Sequence, residues 1–353
     1  MSVEFQTLSR SYKGKPALDG FDLKVEPQSF TVLCGPPASG KSVLFRLLVG
    51  LEKPDAGRIL LSGRDITATP PAERPVGYVP QSFALYPHLT VADNMAYPMR
   101  LAGAPREAIA RRVDRTAGIL SITHLLKKTP DQLSGGEKQR VAVARGLLKD
   151  AEIFVLDDPL VGLDYKLRER LMDELKALRA ELKATFLYAT SDSLEALTMA
   201  QRLVVIDRGR VVQHAEAAEV YHDPRHARAL DLVGFPHANL LSGRVANGML
   251  EAGPLRCAVA ARDGEVIAGL RPEAIRLGAA PGLRIEAQVR LVENLGGEAV
   301  IYLEAAGRDL TATLPISGGR PPEIGSRTAL AVDPADILLF DAATEIRLAG
   351  SAA

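Results

Sequence analysis

The hydrophobic pattern changes character along the chain. Up to about residue 235, unbroken apolar runs of four or five residues alternate with stretches of helical period. Beyond about residue 240, apolar positions alternate with polar ones in short runs broken by Gly, Pro and Asp, as in VIAGL, EAQVRLVE, EAVIYLE, RDLTATL and DILLF. Phe30–Cys34 and residues 153–156, 186–189 and 203–206 are apolar without alternation, which predicts strands buried on both faces. Residues 3–9 and 21–25 predict an antiparallel pair, and residues 42–49 a helix stopped at Gly50. Residues 90–129 read as mostly helical. Leu167, Leu171, Leu175, Leu178 and Leu182 fall on one helix face, and Asp207-Arg208-Gly209 predicts a turn into a strand at residues 210–213. Strands alternating with helices imply an α/β domain with a largely parallel sheet covered on both faces. The later alternating strands imply a small all-β domain. The join is placed at Phe235-Pro236, an aromatic followed by a helix breaker, giving domains at 1–235 and 236–353.

Composition narrows the class without naming an activity. A chain of 353 residues has room for two domains, and at 47% hydrophobic it can bury a core in each. Its 43 basic and 43 acidic residues cancel, which argues against a nucleic-acid partner, since a grip on many phosphates needs a basic excess. Lysine stops at Lys183 and arginine carries on alone, read here as codon usage. Two cysteines, Cys34 and Cys257, cannot build a disulfide framework, and no Cys/His cluster points to zinc. The first ten residues lack the apolar core of a signal peptide, and no run approaches 18 apolar residues. The expectation is a soluble, intracellular, multidomain protein.

The candidate chemistry starts right after the first buried strand. Gly35-Pro36-Pro37-Ala38-Ser39-Gly40-Lys41-Ser42 fits GxxxxGKS between a strand and a helix. Glycines let backbone N–H groups converge on phosphate oxygens, and the helix N-terminus adds positive potential. Lys41 offers a charge to the β- and γ-phosphates, and Ser42 a hydroxyl ligand for Mg²⁺. The bland reading, a plain Gly-rich turn, leaves the flanking strand and helix unexplained. A second apolar strand ends in Asp157, which places a carboxylate beside a metal–nucleotide. Cys34 reads as a small buried residue.

Between these lies Leu133-Ser134-Gly135-Gly136-Glu137-Lys138-Gln139-Arg140. With LSGGEKQR in place, the chain resembles the ATP-binding subunits of ABC transporters. The resemblance implies ATP and Mg²⁺ as ligands. It implies Tyr12 stacking on the adenine, and Ser42, Gln81 and Asp157 holding the metal. It also implies that Ser134, Gly135, Gly136, Glu137 and Asp164 act in trans on a second subunit's nucleotide. Residues around 84–150 correspond to the family's helical subdomain. EVYHDPRHARALDLVGF, GLRPEAIRL, LVENLGGEAVIYLE and ILLFD resemble the exit segment and OB-like accessory domain of maltose, sugar and glycerol-phosphate importers, although a bare dimerisation barrel also fits residues 236–353. The implied partners are membrane-spanning permease subunits, a second ATPase subunit and, indirectly, an extracytoplasmic solute-binding protein, with the chain peripheral on the cytoplasmic face of the membrane. The loop around Phe83, Leu85 and Tyr86 is apolar enough for docking to a permease, and equally for packing within its own domain.

Three positions depart from the family pattern, all at the hydrolytic centre. The general-base Glu is replaced by Asp158, one methylene shorter. The switch His is replaced by Ser191, which has neither imidazole reach nor a positive state. Val161 stands where a Ser is common. These changes suggest a subunit that binds ATP, hydrolyses it poorly at its own loop, and completes a working site on a different ATPase partner; a slow homodimer using Asp158 is the alternative. Two further readings are a soluble ATPase of translation or repair and a nucleotide-dependent regulator that does not hydrolyse. The first lacks its expected second cassette or coiled coil here.

Overall fold

The unbroken apolar runs come to lie side by side. In chain order the first unit holds β1 (Val3–Tyr12), β2 (Lys15–Val25), β3 (Phe30–Cys34), α1 (Lys41–Val49), β4 (Ala56–Leu61), β5 (Arg64–Asp65) and β6 (Val76–Val79). Next come α2 (Val91–Leu101), α3 (Arg106–Ile119), α4 (Gly135–Leu147), β7 (Ile153–Asp157) and α5 (Tyr165–Leu182). The unit ends with β8 (Thr185–Thr190), α6 (Ser193–Met199), β9 (Arg202–Asp207) and β10 (Arg210–Glu216). This computed structural model describes residues 1–278, 281–316 and 320–349. It divides into two compact units, Met1–Ala217 and Ala218–Ala353.

The main sheet of the first unit runs β10-β9-β3-β8-β7-β6. β3 pairs in parallel with β8 and β9, and β7 with β6 and β8; only the β9–β10 hairpin is antiparallel. Every residue of β3, β7 and β8 is buried, which is why none of the three alternates. A second, antiparallel sheet runs β2-β1-β4-β5. Its inward residues Phe5, Leu8, Phe21 and Ile59 share one core with Leu44, Phe45 and Leu48 of α1, so the two sheets clamp that helix. On α5 the predicted stripe is buried at Leu171 and Leu175; the side chains of Leu178 and Leu182 lie outside the described residues.

One buried cation fixes the far end of α1. Arg74, 3% exposed, donates from Nη1 to the carbonyls of Leu47 (2.8 Å) and Leu48 (2.7 Å). It also donates from Nε to Thr69 O (2.9 Å) and from Nη2 to Thr67 O (3.1 Å). The last carbonyls of a helix have no partner within it; the Gly50 N–H takes Leu47 O, and Arg74 adds donors to both Leu47 O and Leu48 O. Arg74→Met removes the donors to Leu48, Thr67 and Thr69, while Leu47 O keeps the Gly50 N–H. A loss of about 3 kcal/mol is expected, seen as a lower urea midpoint at unchanged slope.

The second unit is all-β apart from short helices. After α7 (Ala217–His222) and α8 (Ala227–Leu232) come β11 (Asn239–Ala246), β12 (Met249–Ala252), β13 (Leu255–Ala258), β14 (Gly264–Leu270) and β15 (Ile275–Leu277). They are followed by β16 (Leu283–Asn294), β17 (Glu298–Ala305), β18 (Arg308–Pro315), β19 (Arg327–Val332) and β20 (Leu338–Asp341). Two five-stranded antiparallel sheets, β13-β12-β11-β14-β20 and β15-β19-β16-β17-β18, form the OB-like domain. Both feed one core, Leu241, Val245 and Val266 from the first sheet and Ile285, Ile301 and Leu330 from the second. Ala227 and Leu230 of α8 pack on Phe340 of β20. The exit helices therefore group with the strands, ahead of the Phe235-Pro236 join read from the sequence.

Candidate ATP-binding site

β3 delivers the Gly-rich loop to the carboxyl edge of the main sheet, between β8 and β9. Close approach explains the glycines. A Cβ on Gly35 would lie 2.1 Å from Ile206 O, and Gly40 adopts φ 109° as it caps α1. Ala38 also holds positive φ, at 64°, a conformation that is unfavourable for a residue with a Cβ. Lys41 is the first residue of α1 and only 6% exposed. Its Nζ donates to Gly35 O (2.6 Å), Pro36 O (3.1 Å) and Ser39 Oγ (3.4 Å). Burial pushes its ammonium pKa down, and the charges of Asp158 and Asp157 pull it back up.

Two carboxylates face this loop from the end of β7. Asp157 Oδ1 accepts from Ser42 Oγ at 2.9 Å, and Oδ2 from the Tyr78 hydroxyl at 3.4 Å. Asp158 leaves the strand with φ 47°, a left-handed conformation that Asp tolerates better than most residues, and its N–H donates to Ala189 O at 3.0 Å. Burial raises the pKa of both carboxyls; at Asp158 the charge of Lys41, the Ser191 N–H and the Thr190 hydroxyl oppose it. Ser191 thus meets Asp158 through its backbone. A cavity of about 510 Å³ is lined by Tyr12, Pro37, Ala38, Ser39, Gly40, Lys41, Ser42, Gln81, Val161, Asp158 and Ser191 among others. The sequence-predicted residues from five separate segments converge there.

Oxygen donors are what Mg²⁺ takes, and the hydroxyl of Ser42, the carboxylate of Asp157 and the amide oxygen of Gln81 are such a set, two of them already in contact. The residues fit the ion. Tyr12, which also lines the cavity, is 37% exposed, with its hydroxyl bonded to Glu52.

The residues expected to act in trans do not line this cavity. Ser134 caps α4: its Oγ accepts from Glu137 N (3.3 Å), while Glu137 Oε2 accepts from Ser134 N (2.7 Å). The Ser134 N–H holds the Glu137 carboxyl below its ordinary pKa. A Cβ on Gly136 would strike Leu167 at 2.6 Å, whereas Gly135 faces open space. Asp164 caps α5 by accepting from Leu167 N at 3.0 Å. Both helix starts are thus preformed away from the chain's own phosphate loop.

Sequence reasoning missed a buried polar group behind Asp158. Glu195, 6% exposed, accepts from the Tyr188 hydroxyl at 2.6 Å, and it shares Thr190 with Asp158. Thr190 Oγ1 also accepts from Asp192 N at 3.0 Å, and Asp192 is held by Arg168 at 2.8 Å. A Glu in the first turn of a helix usually reads as solvent-facing, so the pattern carried no sign of it. Cys34 is buried as expected, its thiol pushed up to about 12 by burial.

Comparison with known proteins gives the family. The ABC transporter family matches residues 18–161, and the TOBE domain family matches residues 268–340. The sn-glycerol-3-phosphate import ATP-binding protein UgpC of Cereibacter sphaeroides is 38% identical over 98% of this chain and 99% of its own length. The chain belongs to the ABC transporter family. It is an ABC-type ATPase with a C-terminal TOBE domain. The maltose/maltodextrin import ATP-binding protein MalK of Shigella flexneri is 37% identical over 86% of this ABC protein and 85% of its own length. Among solved structures, a dimeric ATP-binding cassette, MJ0796, bound to ADP and Pi, is 27% identical with a TM-score of 0.56; the match covers 61% of this chain and 98% of that one. No described helix of this ABC ATPase is long and apolar enough to cross a membrane.

Proposed function

We propose that this chain is the ATP-binding subunit of an importer of a carbohydrate, polyol or glycerol-phosphate solute, peripheral on the cytoplasmic face of the membrane. The observation that carries it is end-to-end similarity to import ATP-binding proteins together with a phosphate loop and signature kept whole. In this reading residues 1–235 work as the ATPase and residues 236–353 as an accessory domain. Lys41 and the loop N–H groups bind the triphosphate, and Ser42, Gln81 and Asp157 hold Mg²⁺, which neutralises charge on the β- and γ-phosphates when bound. Asp158 orients water and takes its proton. Ser134 and Gly135 of a second subunit close over the nucleotide, and closure reaches the permeases through residues 84–94 and the helices beyond.

The finer proposal concerns the pairing. Asp158, Ser191 and Val161 all lie in the cavity that serves hydrolysis, so their joint departure supports a subunit that hydrolyses poorly and lends its signature to a different ATPase. General-base catalysis is worth about 10²–10⁴-fold, and a homodimer carries that loss at both sites. Against this stands the Asp158 carboxylate, still drawn toward Lys41, which supports a slow homodimer instead. The test is ATP turnover of the purified chain alone and after mixing with each ATPase encoded beside it. Stimulation only in a mixture, with both proteins and a permease co-purifying in detergent, is the expected result. Robust turnover alone supports the homodimer, and a free monomer with no permease sinks the importer reading.

A further inference from the structure

Glu52 lies outside every motif read from the sequence, yet it is the hub of the cavity's outer rim. It follows α1, its N–H donating to Arg46 O at 3.3 Å. Its Oε1 accepts from Arg46 Nε at 2.6 Å, and its Oε2 takes the Tyr12 hydroxyl and lies 3.4 Å from Arg10 Nε. Arg46 Nη2 reaches the same hydroxyl at 3.4 Å. Arg10 covers one side of the Tyr12 ring, its Cζ 5.0 Å from the centroid, and is itself held by Asp55 at 2.8 Å. Burial pushes the Glu52 carboxyl up, but the bonds from Tyr12 and Arg46 outweigh it and hold the group ionised.

This wiring joins two parts of one site. Tyr12 ends β1, whereas Arg46 belongs to the helix that starts at the phosphate loop. An aromatic ring on a strand end rotates freely unless something fixes it, and a base stacks well only on a fixed platform. From this geometry we infer that Glu52 is a positioning residue for nucleotide recognition. It locks the Tyr12 ring at a set distance from the phosphate loop through Arg46, so that base and triphosphate are bound in register. The inference rests on the reading that Tyr12 carries the base.

The test is competition by ATP and by inorganic tripolyphosphate against a fluorescent ATP analogue, on the full-length chain. Tripolyphosphate lacks the base and reports only on the loop. Glu52→Leu and Tyr12→Phe are each expected to weaken ATP about fivefold to tenfold, the net worth of one ordinary hydrogen bond, and to leave tripolyphosphate unchanged. Together they should weaken ATP no further, because both break one tether. Equal loss for the two ligands means that Glu52 merely supports the fold of α1, which overturns the inference. Loss of ATP affinity in Tyr12→Ala, but not in Glu52→Leu or Tyr12→Phe, also overturns it. Unchanged affinity in Tyr12→Ala removes the base platform itself, and the inference with it.

Discussion

Asp158→Glu combined with Ser191→His is expected to raise ATP turnover of the homodimer by about tenfold to a hundredfold. The argument is one of reach. A base must stand within about 2.6–3.2 Å of the proton it takes, and an error near 1 Å costs about a hundredfold. Here the short carboxylate faces Lys41 and is bonded by the Ser191 N–H and the Thr190 hydroxyl. Glutamate adds one methylene from the same backbone position and carries the oxygens further into the cavity. Histidine at 191 adds a ring that reaches the terminal phosphate, where serine offers a short hydroxyl. Steady-state ATPase assays of the two single variants and the double decide it. The double should exceed the product of the singles, since both act on one transition state. Asp158→Asn in the same series should abolish the gain. Turnover unchanged in all of them would falsify the assignment of Asp158.

Lys41→Met should lower ATP affinity by at least about a hundredfold and silence the site, with little effect on folding. The two outcomes come from different physics. In binding, Lys41 is the cation facing both carboxylates, and its loss leaves Asp158 without the charge that opposes it and Asp157 with only Arg46. In folding, the ammonium is buried and its desolvation opposes its charge, so an apolar chain of similar length is tolerated. The Gly35 and Pro36 carbonyls lose a donor, which limits the gain. Titration calorimetry with ATP and urea unfolding separate the two effects. Affinity within threefold of the unchanged protein would remove Lys41 from the site.

Much of this site was legible because its residues are fixed by local chain geometry. The Gly-rich loop must follow a buried strand and open a helix, so its spacing located it, whereas Ser134 was found through the resemblance that LSGGEKQR carries. Strand ends were less legible. β1 runs on to Tyr12 and β2 starts at Lys15, beyond the stretches predicted, because these half-exposed ends carry no apolar signal. Least legible were the charged residues that work across long sequence distances. Arg74 caps a helix that ends at Val49, and Glu52 ties down a ring on β1. In sequence each looks like an ordinary surface charge, since only the tertiary fold brings its partner near. The left-handed turn at Asp158 was equally hidden, because nothing in Leu-Asp-Asp-Pro demands it.

The hydroxyl of Thr190 has one further consequence. It owns a single hydrogen, one lone pair is taken by the Asp192 N–H, and two carboxylates, Asp158 and Glu195, approach it. That hydrogen can serve only one of them at a time. Asp158 also takes the Ser191 N–H, and Glu195 takes the Tyr188 hydroxyl, so each acid keeps a donor whichever one holds the threonine hydrogen. The hydroxyl thus couples the cavity carboxylate to a buried one: the hydrogen it gives to Asp158 is one it withholds from Glu195.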